Sequence, residues 1–346
     1  MKEMTAASVG SAVRIGLSHR RCEDRAAARV FPNGCVIALA DGVSTAQFGA
    51  EAAELSVRIA IEAAGETILP GWKGSPSAVG EASERILAHV SEALRMASDE
   101  SGSNPAEWAS TLLLAVLPAD GDSFWLHCGD GVILGVDTGR PGFSRPGFIS
   151  AGIRLPGNRI IPTSLLSEYP GAYRSGVLKG RTSLLLSSDG LGGLLTAGSR
   201  GKRPKPSQFG EDLITGCAFS MLAEPSVRGV QPLLENLFLH MVQDDDISVA
   251  TFADGNDAFS IIRSCPDIRA RCFPLPIPER APAQARQELR RAKAMLDLSA
   301  EQGITPKDLD RKLYLHGHLQ KAKAQIERYE AAHLIHKMPD RAAWFV

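Results

Sequence analysis

The sequence predicts an α+β protein in which antiparallel sheets are flanked by helices. Three observations point to that class. Short β-like runs come in groups, amphipathic stretches come in pairs, and the two do not alternate as a parallel βαβ array would. The length of 346 residues leaves room for two domains, or for one large domain with an appendage.

Taken in order, VRIGLS (13–18), RAAARVF (25–31) and CVIALAD (35–41) read as strands, with Pro32-Asn33-Gly34 supplying the turn of a hairpin between the last two. Residues 46–64 are Ala-rich with apolar positions three to four apart, and 77–97 repeat the pattern, which predicts two amphipathic helices. Strand signals return at 111–118, 123–128, 132–136, 182–188 and 247–252. The stretch 138–180 is rich in Gly, Pro and Arg and is expected to loop or form a small flap. Two more helices are expected at 208–222 and 226–243. Beyond Phe252 the character changes: Pro266, Pro274, Pro276, Pro278 and Pro282 mark 256–282 as a semi-rigid connector. A helical tail follows over 283–346. Its first helix stops at Gly303, and Thr305-Pro306-Lys307-Asp308 opens a second that runs to about Leu334.

Composition narrows the function class. With 44% hydrophobic and 22% charged residues, disordered, collagenous and disulfide-scaffold classes are poor fits. A formal net charge of −1 gives no overall attraction to nucleic acid or membrane. The N-terminal stretch lacks the apolar core of a secretion signal and no run is apolar enough to span a bilayer, so a cytoplasmic protein with no membrane partner is expected. The six cysteines form no CxxC pair, and reduced, mostly buried thiols are the expectation.

The informative residues are acids at strand ends. Glu23-Asp24, Asp41-Gly42, Asp130 within Cys-Gly-Asp-Gly, Ser188-Asp189-Gly190 and Asp244-Asp245-Asp246 each flank an expected strand. Hard divalent cations need several oxygen ligands, and carboxylates at neighbouring strand ends can converge on one or two of them; the absence of matching His and Cys argues against zinc. Any one Asp-Gly can simply make a turn. Its recurrence after apolar strands favours a shared role.

These residues, in this order, resemble the metal-dependent type 2C protein phosphatases, and among them a bacterial branch. Gly16-Leu17-Ser18-His19 with Glu23-Asp24 is similar to the family's opening motif, and Ala40-Asp41-Gly42-Val43-Ser44 with Gly49-Ala50-Glu51-Ala52-Ala53 to its Asp-Gly signature and following helix. Ala109-Ser110-Thr111-Leu112, Cys128-Gly129-Asp130-Gly131, Ser187-Ser188-Asp189-Gly190-Leu191 and Asp245-Asp246-Ile247-Ser248 are similar to the rest. The resemblance spans about 11–255, the expected catalytic domain. It implies a four-layer α-β-β-α sandwich and a pair of Mn²⁺ or Mg²⁺ ions. Asp41 would bridge them and the Gly42 carbonyl would ligate one. Asp189 and Asp245 would bind one ion and Glu23 the other, with Asp24 in support and Asp130 helping to hold a third, weaker ion. The implied activity is serine/threonine protein phosphatase, through a hydroxide shared by the two metals. The implied partners are a phosphorylated protein substrate and a Ser/Thr kinase.

Two positions depart from the familiar pattern. Where an Arg usually holds the phosphate stands His19, followed by Arg20 and Arg21. Strand alternation would put His19, Arg21 and Glu23 on one face, which makes Arg21 the first choice of phosphate contact and His19 the second. Where many relatives carry a His after Asp-Gly stands Val43, and a serine alkoxide leaves poorly without a proton donor. Two alternative readings follow: a pseudophosphatase or phosphoprotein-binding scaffold, and a regulator whose basic tail, with a local charge of about +4, binds a partner or DNA. His127 is expected to be structural.

Overall fold

The computed structural model describes residues 9–16, 19, 21–72, 74–137, 145–152, 161–166, 171–180, 183–197, 205–206, 213–214, 230 and 245–253. The expected connector and tail lie outside them, as do nearly all residues of the expected helices at 208–222 and 226–243.

Two antiparallel five-stranded sheets form the centre. The strands are β1 (Val9–Arg14), β2 (Arg25–Phe31), β3 (Gly34–Ala40), β4 (Leu112–Pro118), β5 (Ser123–Cys128), β6 (Val132–Asp137), β7 (Arg145–Ala151), β8 (Tyr173–Leu178), β9 (Leu184–Ser187) and β12 (Ile247–Phe252). Two-residue strands β10 (Thr196–Ala197) and β11 (Lys205–Pro206) pair with each other apart from these. One sheet runs β1-β12-β9-β6-β7 and the other β2-β3-β4-β5-β8.

Alternation along the strands sorts the core into two layers. Cys35, Ile37 and Leu39 of β3, with Leu113, Ala115 and Leu117 of β4, meet Ile133, Leu184, Leu186, Ala250 and Phe252 of the facing sheet. The intervening residues Val36, Ala38, Ala40, Leu112, Leu114 and Val116 face α1 (Gly49–Ala63) and α2 (Pro76–Ser101). β3 and β4 are therefore buried on both faces, which explains why they read as unbroken apolar runs. Truncating one of these side chains, Leu114→Ala for example, should cost about 2–5 kcal/mol.

Small residues let α1 lie close on the sheet: Ala52, Ala53, Val57, Ala60 and Ile61 form its buried stripe. Helix α2 opens at Ser75, whose hydroxyl accepts from the Ala78 amide at 3.2 Å, with Pro76 at its first position. It closes at Gly102 in the left-handed conformation. Its buried stripe is Ala82, Ile86, Leu87, Val90 and Leu94.

Three expectations need correction. The stretch 138–180 holds two strands, β7 and β8, beside any loop; both are sheet edges, and Pro146 and Gly147 in β7 and Gly176 in β8 dilute the β pattern. The first strand ends at Arg14 rather than running through the Gly-Leu-Ser-His motif, so alternation cannot assign faces to His19, Arg21 and Glu23. Asp189 opens a short helix, α3 (Asp189–Leu195), that the sequence did not suggest. The sheets, the hairpin and helices α1 and α2 agree with the predicted class. Among the described residues no helix is long and apolar enough to cross a membrane.

Candidate metal centre

Glu23, Asp24, Asp41, Asp130, Asp189, Asp245 and Asp246 all sit within two residues of a strand end, and strand register explains why the central ones meet. β6 and β9 pair Val132 with Ser187, so the ladder continued past both ends sets Asp130 opposite Asp189. β3 and β4 pair Leu39 with Leu113, which sets Asp41 opposite Thr111. That pair is bonded: the Asp41 amide donates to Thr111 Oγ1 at 2.9 Å, and the Thr111 amide donates to the Asp41 carbonyl at 2.8 Å. Gly42 bridges to Ser110 on the same strand end. One carboxylate oxygen from each of Asp41, Asp130 and Asp189 consequently lies within 4.8 Å of the others.

The glycine after each of these acids is there for space. A Cβ at Gly42 would collide with the Gly49 backbone, one at Gly131 would come 2.6 Å from the Ser187 carbonyl, and one at Gly190 would collide with the Asp246 carbonyl. None of the three has positive φ, so a left-handed backbone conformation is not what calls for glycine there. Gly49 meets the Val43 carbonyl in the same way, at 2.6 Å. Close backbone approach is what draws the strand ends together.

Electrostatics favour a cation in this group. Desolvation, and then the charges of Asp24 and Asp189, push the Asp41 pKa well above the ordinary carboxylate value. Burial also raises Asp24, against the opposing pull of the nearby Ser248 and Ser188 hydroxyls. Asp24 is 1% exposed and its Oδ2 has no hydrogen-bond partner among the described residues. Carboxylates this crowded repel unless a proton or a cation sits among them, and an all-oxygen donor set suits Mg²⁺ or Mn²⁺. The residues fit such ions.

Asp245 and Asp246 point to different surroundings. Asp245 is half exposed, and burial followed by the charge of Asp189 raises its pKa. Asp246 is buried; its Oδ1 accepts from the Gly16 amide at 2.7 Å, and its Oδ2 accepts from the Glu23 amide. His19 Nδ1 lies 3.1 Å from Asp246 Oδ1 and Nε2 lies 3.6 Å from Asp245 Oδ1. Burial alone would lower the His19 pKa, but the carboxylates of Asp246, Asp245 and Glu23 outweigh it and raise it.

Arg21 turns away from the acids. Its guanidinium binds Glu51 at 2.7 Å and the Gln47 carbonyl at 3.3 Å, on the exposed start of α1. Arg25 braces the turn before β2 by donating to the Cys22 and Asp24 carbonyls at 2.9 and 2.8 Å. His127 is fully buried, with Nδ1 2.7 Å from Ser150 Oγ of the facing sheet, as a structural residue would be. Cys22 and Cys128 are free thiols.

The site residues predicted from sequence therefore divide. Asp41, Asp130 and Asp189 come together, with Asp24 against Asp41 and Asp245 close enough to feel Asp189. Glu23 is held next to the group by its backbone. Sequence reasoning missed the parts played by Thr111 and Asp246. Both stand beside recognised motif residues, and a count of unpaired backbone amides at the strand ends was the signal that could have found them.

A family model described as Protein phosphatase 2C matches residues 15–144, which include Glu23, Asp24, Asp41, Gly42 and Asp130; Asp189 and Asp245 lie beyond its end. No curated protein matches. Among solved structures, PppA, a key regulatory component of T6SS in Pseudomonas aeruginosa, is 18% identical, with 71% of this chain and 96% of that chain covered and a TM-score of 0.45. The S. agalactiae serine/threonine phosphatase is 16% identical over 71% and 100% of the two chains, with a TM-score of 0.46. The Mycobacterium tuberculosis serine/threonine phosphatase PstP/Ppp is 18% identical over 71% and 99%, with a TM-score of 0.42.

Proposed function

We propose that the chain, whose residues 15–144 match the family model described as Protein phosphatase 2C, hydrolyses phosphoserine and phosphothreonine esters of a protein substrate, using divalent cations. In this reading residues 11–255 are the catalytic domain, 256–282 a connector and 283–346 a regulatory tail, in a cytoplasmic protein that works opposite a Ser/Thr kinase. The observation that carries the reading is the convergence of Asp41, Asp130 and Asp189 from three strand ends.

Asp41, Asp189 and Asp245, with the Gly42 carbonyl and Glu23, would hold two Mn²⁺ or Mg²⁺ ions, and Asp130 would help hold a third. When bound, such ions lower the pKa of a shared water towards neutrality and neutralise charge on the phosphoryl group. The protein's own share is placement. Thr111 fixes the Asp41 backbone, the glycine contacts hold the strand ends close, and Asp24 shares the buried space behind Asp41. His19, with Nε2 3.6 Å from Asp245 Oδ1, would be the group that gives a proton to a departing alkoxide.

Manganese-dependent release of phosphate from a phosphopeptide tests the reading, with Asp41→Ala and Asp189→Ala as the decisive variants. Both should be inactive. A rate for Asp189→Ala close to wild type would sink the assignment.

A second reading, a phosphoprotein-binding scaffold with poor turnover, is favoured by Val43 in place of a proton donor and by the engagement of Arg21 with Glu51 and Gln47. It predicts slow hydrolysis of phosphoserine relative to an aryl phosphate, whose leaving group needs no proton.

A further inference from the structure

Asp246 stands out among the buried charged groups because the proposed chemistry leaves it without a task. It is 2% exposed, adjoins a candidate ligand, and collects two backbone amide donors and an imidazole contact from a segment more than two hundred residues earlier in the chain. We propose that Asp246 is a positioning residue: its carboxylate anchors the 15–24 segment to the start of β12, and so sets where Glu23 and His19 stand relative to the acid group. The inference rests on the metal-centre reading given above.

The geometry requires both carboxylate oxygens. Oδ1 takes the Gly16 amide at 2.7 Å and faces His19 Nδ1 at 3.1 Å, while Oδ2 takes the Glu23 amide. These contacts lie on either side of the segment's bend, at Gly16 and at Glu23, with His19 between them. The described residues of the segment lie in no strand or helix, so this side chain supplies hydrogen bonding that a ladder supplies elsewhere. The Glu23 carbonyl in turn accepts from the Gly42 amide at 3.2 Å, next to Asp41. A chain of contacts thus runs from Asp246 through Glu23 to the Asp41-Gly42 turn. With Nδ1 turned to Asp246, the imidazole presents Nε2 to Asp245. An outer carboxylate that orients a ligand or an imidazole typically changes metal affinity by ten- to a hundredfold when it is lost.

The test is Asp246→Asn, which keeps shape but leaves one oxygen for the two backbone amides and removes the charge that faces His19. One buried backbone amide, of Gly16 or of Glu23, must then face the new amide nitrogen. Mn²⁺ binding to the full chain, followed by calorimetry and by the electron paramagnetic resonance signal of free Mn²⁺, should weaken by about tenfold in a variant whose melting temperature shows it folded. Asp246→Ala should weaken it further, and if that variant does not fold the Asn variant still tests the point. Wild-type Mn²⁺ affinity in folded Asp246→Asn would overturn the proposal, and a lower melting temperature with unchanged affinity would do so equally, since it would reduce Asp246 to a purely structural role. Asp41→Ala is the control. If it abolishes Mn²⁺ binding while Asp246→Asn leaves it intact, only the positioning role falls. If it binds as wild type does, or if wild type binds none, the metal-centre reading falls and takes the proposal with it.

Discussion

Asp41 and Thr111 exchange two hydrogen bonds across the ends of β3 and β4, the Asp41 amide to Thr111 Oγ1 at 2.9 Å and the Thr111 amide to the Asp41 carbonyl at 2.8 Å. The first uses a side chain where the ladder has run out. Thr111→Val keeps the shape and removes the acceptor, leaving the Asp41 amide unpaired at a cost of about 1–3 kcal/mol. Urea denaturation should show that loss, and Mn²⁺ affinity should fall with it. Thr111→Ser should restore both.

The crowding of Asp41 against Asp24 and Asp189 makes metal-free stability depend on pH. The raised carboxyl groups hold protons in the folded state that the unfolded chain has released, so stability declines as pH rises above the ordinary Asp value of 3.8. Asp41→Asn removes one charge. It should therefore melt higher than wild type at pH 7 without metal, while losing activity and Mn²⁺-induced stabilisation. Parallel melts with and without Mn²⁺ at pH 5 and pH 7 check this, and identical melting of the two metal-free proteins at pH 7 would count against it.

His127 works in the opposite sense. Burial lowers its pKa from 6.5 to about 4, so the folded protein keeps it neutral while the unfolded chain takes up a proton. Its neutral form is fully accommodated above pH 6.5, and stability is lost as pH falls from there towards 4. The loss amounts to about 3 kcal/mol across that interval. In His127→Gln this acid-induced component should disappear from the difference between denaturation curves at pH 7 and pH 4.5.

Glycines in this chain differ sharply in what they tolerate. Gly80 is exposed within α2, with nothing within 4 Å of an added Cβ, so Gly80→Ala should stabilise the protein by about 0.5–1 kcal/mol. Gly42→Ala would drive a methyl group into the Gly49 backbone and separate the Asp41 turn from α1. It should cost at least about 1–3 kcal/mol and abolish metal binding. Thermal melts of the two variants side by side make the comparison.

Much of this was legible in the residues, for physical reasons. β3 and β4 are buried on both sides and so read as unbroken apolar runs, while α1 and α2 carry one apolar stripe each. Asp41, Asp130 and Asp189 could be singled out because each follows or precedes such a run. What was hidden depends on long-range contacts. β7 and β8 are edge strands whose Pro and Gly mimic a loop, and only pairing with β6 and β5 makes them strands. The 15–24 segment looked like a continuation of β1, yet it leaves the sheet because Gly16 and Glu23 bond to Asp246. Arg21 seemed aimed at a phosphate only while that segment was taken as a strand.

The first described strand pairs with the last, Val9 of β1 opposite Phe252 of β12. During synthesis, Glu23 and Asp41 leave the ribosome long before the strand that carries Asp245 and Asp246 exists. The nascent chain therefore passes most of its synthesis with an unfinished sheet and without the acids that open β12. The acid group can be completed only when β12 enters between β1 and β9, so the order of translation sets when the site can first assemble.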